Sequence, residues 1–241
     1  MNTGKLNSIG LNPALQKVHP GAVNVLHGPL FRCGAAARDP SEPDSLTKRS
    51  IAMRYTKSLF CELLLKEDLL GRINAVLAHD KTAFSGGVVL NKEVNASSSR
   101  ASEIRWIESP ELKWLFDPIV ADVSKANDWN FALSHSEHFQ HARYGIGGKY
   151  DWHVDQHPHP HKLDGLIRKV SFTLFLNDAY AGGELDLEIG SPRLENRCAT
   201  FKNRKPGTMV FFLGDVWRRV RPVTSGVREA LVGWYLGPPY V

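Results

Sequence analysis

The sequence predicts a mainly β fold, an antiparallel sandwich or barrel with two N-terminal helices packed outside it. Three observations carry that expectation. Two segments, near residues 69–77 and 112–123, repeat apolar residues at helical spacing. Beyond Asn130 the chain breaks into many short candidate strands, with Gly or Pro between several of them. Helices followed by a run of strands are the pattern of helices packed against a separately built sheet layer. No internal repeat is visible.

Residues 1 to about 50 read as a poorly ordered tail. No acidic residue precedes Asp39, and Asn, Gly, Pro and Ser recur without a hydrophobic period. Asp39-Pro40-Ser41-Glu42-Pro43-Asp44-Ser45 has the composition of a linker. The expected folded domain is therefore residues 51–241. Tyr55 to Leu63 can form a strand, and Leu69, Leu70, Ile73, Val76 and Leu77 mark the first helix. Residues 80–103, with Gly86-Gly87 and Ser97-Ser98-Ser99, read as a loop with one short strand. Ser109 before Pro110 starts the second helix. The hydroxyl can cap it, and a proline at the first position lacks only an N–H that has no helical partner there. Leu112, Leu115, Phe116, Ile119, Val120 and Val123 line one face of that helix, as core residues do. The candidate strands that follow are 131–134, 139–145, 150–154, 168–176, 184–188, 198–202, 208–213 and 228–236. In the fourth, Val170, Phe172, Leu174 and Leu176 alternate with Ser171, Thr173 and Phe175.

Composition narrows the function classes. The chain has 241 residues, 42% hydrophobic and 23% charged, enough to bury a core without disulfides or a structural metal. Mean hydropathy is −0.27, and no apolar run approaches the length of a membrane span. Cys33, Cys61 and Cys198 are odd in number and lack zinc spacing, which points to reduced thiols and a cytoplasmic location. The net charge of +5 is that of a mildly basic surface with some attraction for a small acid. No basic helix or interleaved aromatic-basic stretch points to nucleic acid. Ten histidines are present, seven of them between His135 and His161 and none after it.

The sharpest local feature is Tyr150-Asp151-Trp152-His153-Val154-Asp155. On an extended strand His153 and Asp155 project from one face, so an imidazole and a carboxylate could share a divalent metal. Taken alone, the pair reads as a hydrogen-bonded surface pair. With a second, distant His it would form the facial triad of non-haem Fe(II) oxygenases. The context is Gln140, Tyr144-Gly145-Ile146-Gly147-Gly148-Lys149-Tyr150, then Arg168 through Asn177, and Gly182-Gly183-Glu184-Leu185. Pro206-Gly207-Thr208-Met209-Val210-Phe211-Phe212 and Val220-Arg221-Pro222-Val223-Thr224-Ser225-Gly226-Val227-Arg228 follow. In this order the motifs resemble the prolyl 4-hydroxylase-like family of Fe(II)- and 2-oxoglutarate-dependent dioxygenases, over roughly residues 55 to 239.

The resemblance implies a double-stranded β-helix (jelly roll) core and an oxidoreductase that hydroxylates a substrate C–H bond. Its substrate would be a prolyl residue of a peptide or protein, in the manner of a procollagen-proline 4-dioxygenase, or a small molecule. Fe(II), 2-oxoglutarate and O₂ are implied as cofactor and co-substrates, with ascorbate as a further family cofactor. His153 and Asp155 match the first two iron ligands. Arg228 matches the basic residue that pairs with the far carboxylate of 2-oxoglutarate, a role its planar fork suits. Tyr144 matches a tyrosine that commonly hydrogen-bonds the same molecule, although a buried tyrosine with some other partner is an equal reading.

One position departs from the family. Where the pattern has its distal His, this sequence has Arg218, in Arg218-Arg219-Val220-Arg221-Pro222-Val223-Thr224. Arginine offers five donors and no lone pair, so it cannot replace imidazole on iron. Three explanations are open. Arg218 swings away and iron is held by His153, Asp155, co-substrate and water, with or without a substitute ligand among Asp215, His141, His157, His159 and His161. Arg218 instead enters the site and pairs with Asp155, leaving a pseudoenzyme that binds 2-oxoglutarate or peptide. Or the substitution is a recent or deliberate change in an active parent. His157-Pro158-His159-Pro160-His161 reads as an exposed, proline-stiffened loop at the site mouth, and Trp152 and Trp217 as packing near it.

Overall fold

The computed structural model describes residues 58–86, 99–190, 193, 197–202 and 204–240. The expected tail, the linker and residues 51–57 lie outside the described residues. Fifteen strands and two long helices follow one another among those described. In chain order they are β1 (Phe60–Leu64), α1 (Glu67–His79), β2 (Ser85–Gly86), β3 (Arg100–Ala101), β4 (Glu103–Ile107), α2 (Pro110–Ala126), β5 (His135–Ser136), β6 (Phe139–Tyr144) and β7 (Lys149–His153). Then come β8 (Ile167–Phe175), β9 (Tyr180–Gly182), β10 (Leu185–Glu188), β11 (Cys198–Phe201), β12 (Thr208–Leu213), β13 (Arg218–Val220), β14 (Val223–Gly226) and β15 (Arg228–Gly237).

The large sheet runs β1-β12-β8-β15-β6-β4-β2, with β5 also on β15; the smaller runs β11-β10-β13-β7-β3, and β14 pairs β9. All pairings are antiparallel. One apolar cluster takes Phe172, Leu174, Met209 and Phe211 from the large sheet and Leu185, Leu187, Phe201 and Val220 from the small one. The two sheets are the layers of the expected jelly roll. β8 and β15 are buried along nearly their whole length because the large sheet is covered on its second face too. There α2 sets Phe116 against Phe139 and Phe172, with ring centroids 5.2 and 4.8 Å apart.

Local chemistry accounts for the helix ends. Leu112 N–H donates to Ser109 Oγ at 3.2 Å, the expected cap, with Pro110 in the first turn. Leu112, Leu115, Phe116, Val120 and Val123 are buried and Ile119 partly so, as the spacing predicts. α1 carries Glu67 and Asp68 in its first turn, where carboxylates suit the helix dipole. Its C-terminal end is held by β4: Arg105 donates to the carbonyls of Leu77 (2.8 Å) and Asp80 (3.1 Å).

Several expected elements differ. The first strand begins at Phe60 and ends at Leu64. The span 80–103 contains two short strands, β2 and β3, and residues 87–98 lie outside those described. Residues 131–134 form no strand; the pairing falls at His135–Ser136, opposite Tyr235 and Leu236. β4, β9, β13 and β14 are additions. No described helix is long and apolar enough to cross a membrane.

Candidate functional site

The site is assembled where the chain passes twice between the two large sheets. After β6 in the large sheet, the turn through Gly145–Gly148 leads into β7 in the small one. Gly147 adopts φ +77° there, open to glycine without strain. Later β13 in the small sheet leads through β14 to β15 in the large one. Because β15 pairs β6 and β13 pairs β7, Arg228 stands opposite Tyr144 and Arg218 opposite His153. Residues far apart in sequence thus meet through two strand registers. The four sequence-predicted site residues, His153, Asp155, Tyr144 and Arg228, lie on these strands and the turns that follow them, with Arg218 beside His153 and Asp155.

Arg218 faces inward. Its Nε donates to Asp155 Oδ1 at 3.1 Å and Oδ2 at 3.0 Å, and its Nη2 donates to Oδ1 at 2.7 Å. Both carboxylate oxygens are engaged, and both side chains are at most 5% exposed. Burial works against the Asp155 charge, but Arg218, with His153 and Arg168, outweighs it and holds the carboxyl well below the ordinary range. Burial likewise opposes the Arg218 charge, and Asp155 more than restores it.

The segment carrying Asp155 is tied at its backbone. Gln156 N–H donates to Gly214 O at 2.8 Å, and Arg168 Nη1 reaches Asp155 O at 3.4 Å. Arg168 is itself clamped by Glu137 through two bonds of 2.7 and 2.6 Å, and its guanidinium lies 4.1 Å from the Trp234 ring centroid. This bidentate, stacked arrangement leaves the Asp155 backbone little freedom.

His153 stacks on Tyr150, with centroids 3.6 Å apart and planes at 16°. Its Nδ1 lies 2.7 Å from Asp151 O; a carbonyl only accepts, so the proton sits on Nδ1 and the lone pair on Nε2. That Nε2 is buried without a hydrogen-bond partner, 3.8 Å from Asp155 Oδ1. Burial and then the Arg218 charge push the His153 pKa down to about 3, so the ring is neutral at pH 7. On the same Tyr150 ring lies the guanidinium of Arg100, 4.5 Å from its centroid. Arg100 is buried and bonds only neutral partners among its hydrogen bonds, Ser102 (2.8 Å) and Gln140 (2.8 Å).

Arg228 is 1% exposed, and its Nε and Nη2 have no hydrogen-bond partner. Its guanidinium lies 5.2 Å from the Tyr144 and Phe175 ring centroids, which wall it with π-faces. Burial raises the Tyr180 phenol, and the neighbouring Arg228 counters that. Gly183, at φ +64°, makes room: a Cβ there would stand 2.9 Å from Arg228 Cδ and 3.0 Å from Val223 Cγ2. A buried guanidinium with unmet donors is costly unless an anion completes it.

Other candidates stand apart. His141 bonds Glu229 (3.0 Å) and accepts from Arg105. His157 and His161 lie 6.1 Å apart in the partly exposed loop, and Asp215 is exposed. Trp152 packs under Arg219, and Trp217 is half exposed. Among the described residues, no group of three or more His, Cys, Asp or Glu could hold a metal ion. Arg100, Tyr150, Gly183 and the Arg168–Glu137 clamp were not singled out from sequence as site residues. Tyr150 and Gly183 sit inside the recognised motifs, whereas Arg100 lies in a polar stretch with no signal of its own.

Residues 139–236 match the family described as the 2OG-Fe(II) oxygenase superfamily. A PKHD-type hydroxylase of Synechococcus sp. (strain CC9902) is 30% identical over 196 residues, covering 79% of this chain and 77% of that protein. A PKHD-type hydroxylase of Hyphomonas neptunium is 38% identical over 97 residues, covering 37% of this chain and 38% of its own length. Among solved structures, a Trichoplax adhaerens prolyl hydroxylase in complex with a hypoxia inducible factor oxygen degradation domain peptide is similar at TM-score 0.57. It is 23% identical, and the match covers 76% of this chain and 84% of that one. A Pseudomonas putida prolyl-4-hydroxylase is similar at TM-score 0.55 and 20% identity, covering 76% and 94%. These likenesses show a shared fold. The chain belongs to the 2OG-Fe(II) oxygenase superfamily, in its prolyl 4-hydroxylase-like family.

Proposed function

We propose that this chain is a 2-oxoglutarate-binding member of the family in which the Arg218–Asp155 ion pair stands in the metal position, so that the co-substrate is held without being turned over. The observation carrying this reading is the pair itself: three donated hydrogen bonds, both carboxylate oxygens occupied, both side chains buried. Iron bound there would need a carboxylate oxygen that Arg218 now holds. It would also face a permanent positive charge from a side chain with no lone pair to offer. These residues do not fit Fe(II). They do fit the far carboxylate of 2-oxoglutarate, because Arg228 presents two unmet donors beside Tyr144.

A second reading is supported by the neutral His153, whose buried Nε2 has no partner. Under it the chain is an active hydroxylase acting on a prolyl residue of a peptide or on a small molecule, with His153 and Asp155 as metal ligands. Iron would then supply the oxygen-activating chemistry, with ascorbate in support, and Arg228 and Tyr144 would orient the co-substrate. It requires Arg218 to leave Asp155.

The test is an anaerobic Fe(II) titration in the presence of 2-oxoglutarate, following the metal-to-ligand charge-transfer band, for the wild type and Arg218→His. Succinate release is then measured in air. The variant is expected to develop the band and the wild type to lack both the band and turnover. Equal bands and equal succinate release by the two proteins would overturn the proposal.

A further inference from the structure

We propose that His157 and His161, on the loop joining β7 to β8, bind one divalent cation of the Zn(II), Ni(II) or Cu(II) kind. The site is separate from the Arg218–Asp155 position and independent of how that position is read. Three observations carry it.

The first is spacing. The two imidazoles stand with ring centroids 6.1 Å apart and planes at 36°. A zinc–imidazole bond of about 2.0–2.1 Å puts the metal roughly 3.2 Å from the ring centre. Two rings on one metal are then at most about 6.4 Å apart, and about 5.2 Å apart at the tetrahedral angle. The observed separation lies inside that ceiling, and a closure of about 1 Å reaches the tetrahedral arrangement. No third His, Cys, Asp or Glu among the described residues completes the set, so waters fill the remaining positions. Both side chains are partly exposed, which gives an ion access from solvent.

The second is how the pair is held. Directly before His157, Gln156 N–H donates to Gly214 O at 2.8 Å. His161 N–H donates to Leu166 O at 2.8 Å, and Gly165 N–H donates back to His161 O at 2.8 Å. Between these two anchors Pro158 and Pro160 fix their own φ angles. The rings are presented from a short, stiff span, so little freedom is lost when a metal joins them.

The third is the surroundings. His161 Nε2 faces Glu137 Oε1 at 3.8 Å. That leaves Nδ1 for a metal and sets a carboxylate behind the ring, the outer partner that orients metal-bound histidines. Glu137 also neutralises the neighbouring Arg168 through bonds of 2.7 and 2.6 Å, which tempers that guanidinium's repulsion of a cation. Affinity at nitrogen sites favours Cu(II), Ni(II) and Zn(II) and ranks Mn(II) and Fe(II) lowest, so this pair does not take up the family's metal.

The test is isothermal titration of the full chain with Zn(II), alongside thermal melts with and without the ion. A Zn(II) site that depends on both histidines is expected, with the melting temperature rising on saturation because the ion ties the two ends of the loop. His157→Ala and His161→Ala should each weaken that binding by about tenfold or more, whereas His153→Ala should stay within about threefold of the wild type. His157→Gln and His161→Gln, which keep polar bulk, repeat the comparison and guard against a folding artefact. Zn(II) binding that survives both alanine substitutions would overturn the inference, and so would binding lost in His153→Ala, which would place the ion at the family's position. An equal loss in His159→Ala would overturn the pair as the site, because the whole histidine run would then be the ligand. No Zn(II) binding at micromolar protein would exclude the site.

Discussion

Replacing Arg218 by Met isolates the ion pair on which the account depends. The substitution keeps much of the side-chain volume and removes all three hydrogen bonds to Asp155, whose side chain is 3% exposed. Breaking a buried pair by deleting one partner costs about 3–5 kcal/mol, because the remaining charge is stranded. For a domain of this size each kcal/mol lowers Tm by about 2–4 °C, so a fall of roughly 6–20 °C is expected. Removing both charges, in Arg218→Met/Asp155→Leu, should recover most of that loss, since apolar replacement of a whole buried pair is often neutral. The exposed pair Arg72–Glu111, at 42% and 49% exposure, is the control. Arg72→Ala should cost no more than about 1 kcal/mol. Urea unfolding of the wild type and the three variants, with m-values checked for constancy, provides the measurement. A loss below about 1 kcal/mol for Arg218→Met would refute the buried pair, and so would a double variant no more stable than the single one.

Three further outcomes follow from other parts of the site. Arg228→Met should leave the ligand-free protein as stable or raise its stability by about 1–2 kcal/mol, because it removes two buried, unmet donors; thermal melts without ligand check this, and a drop of several degrees would argue that Arg228 already has a structural partner. Gly183→Ala should destabilise by about 1–2 kcal/mol through its left-handed backbone and weaken 2-oxoglutarate binding by displacing Arg228; unchanged affinity would show that the guanidinium is not seated as described. Acid unfolding should draw on Asp186: burial opposes its charge, but the bonds from Arg221, Thr200 and Arg219 hold it below its ordinary value of 3.8. The stability from that depressed group is present above pH 3.8 and is lost as pH falls through the lower folded value. Asp186→Asn should therefore flatten the stability–pH curve in that acid range, and an identical curve would remove Asp186 from the account.

The sequence carried the long elements because their patterns are physical. The alternation from Val170 to Leu176 is the buried β8, and the spacing from Leu112 to Val123 is the buried face of α2. β4 also has an alternating stretch, Glu103-Ile104-Arg105-Trp106-Ile107, legible in principle; it begins where the polar span 80–103 ends and carries no expectation of its own. β9, β13 and β14 have three or four residues each, too short for any period; partners distant in sequence create them. The same limit governs the site. His153, Asp155 and Arg228 stand in motifs, and the geometry brings them together. Whether Arg218 turns toward Asp155 depends on the register of β13 against β7, which no local residue states. Arg100 reaches the site through β3 pairing Tyr150, and a two-residue strand leaves no trace in composition.

The central claim is that Arg218 holds the position a divalent metal would need, and direct metal binding tests it. Mn(II), a redox-silent substitute for Fe(II) at a His/carboxylate site, can be titrated with the wild-type chain while its free six-line spectrum is followed by electron paramagnetic resonance. The account predicts an undiminished free-ion signal at stoichiometric protein, with or without 2-oxoglutarate. Stoichiometric loss of that signal in the wild type, reversed by His153→Ala, would contradict it.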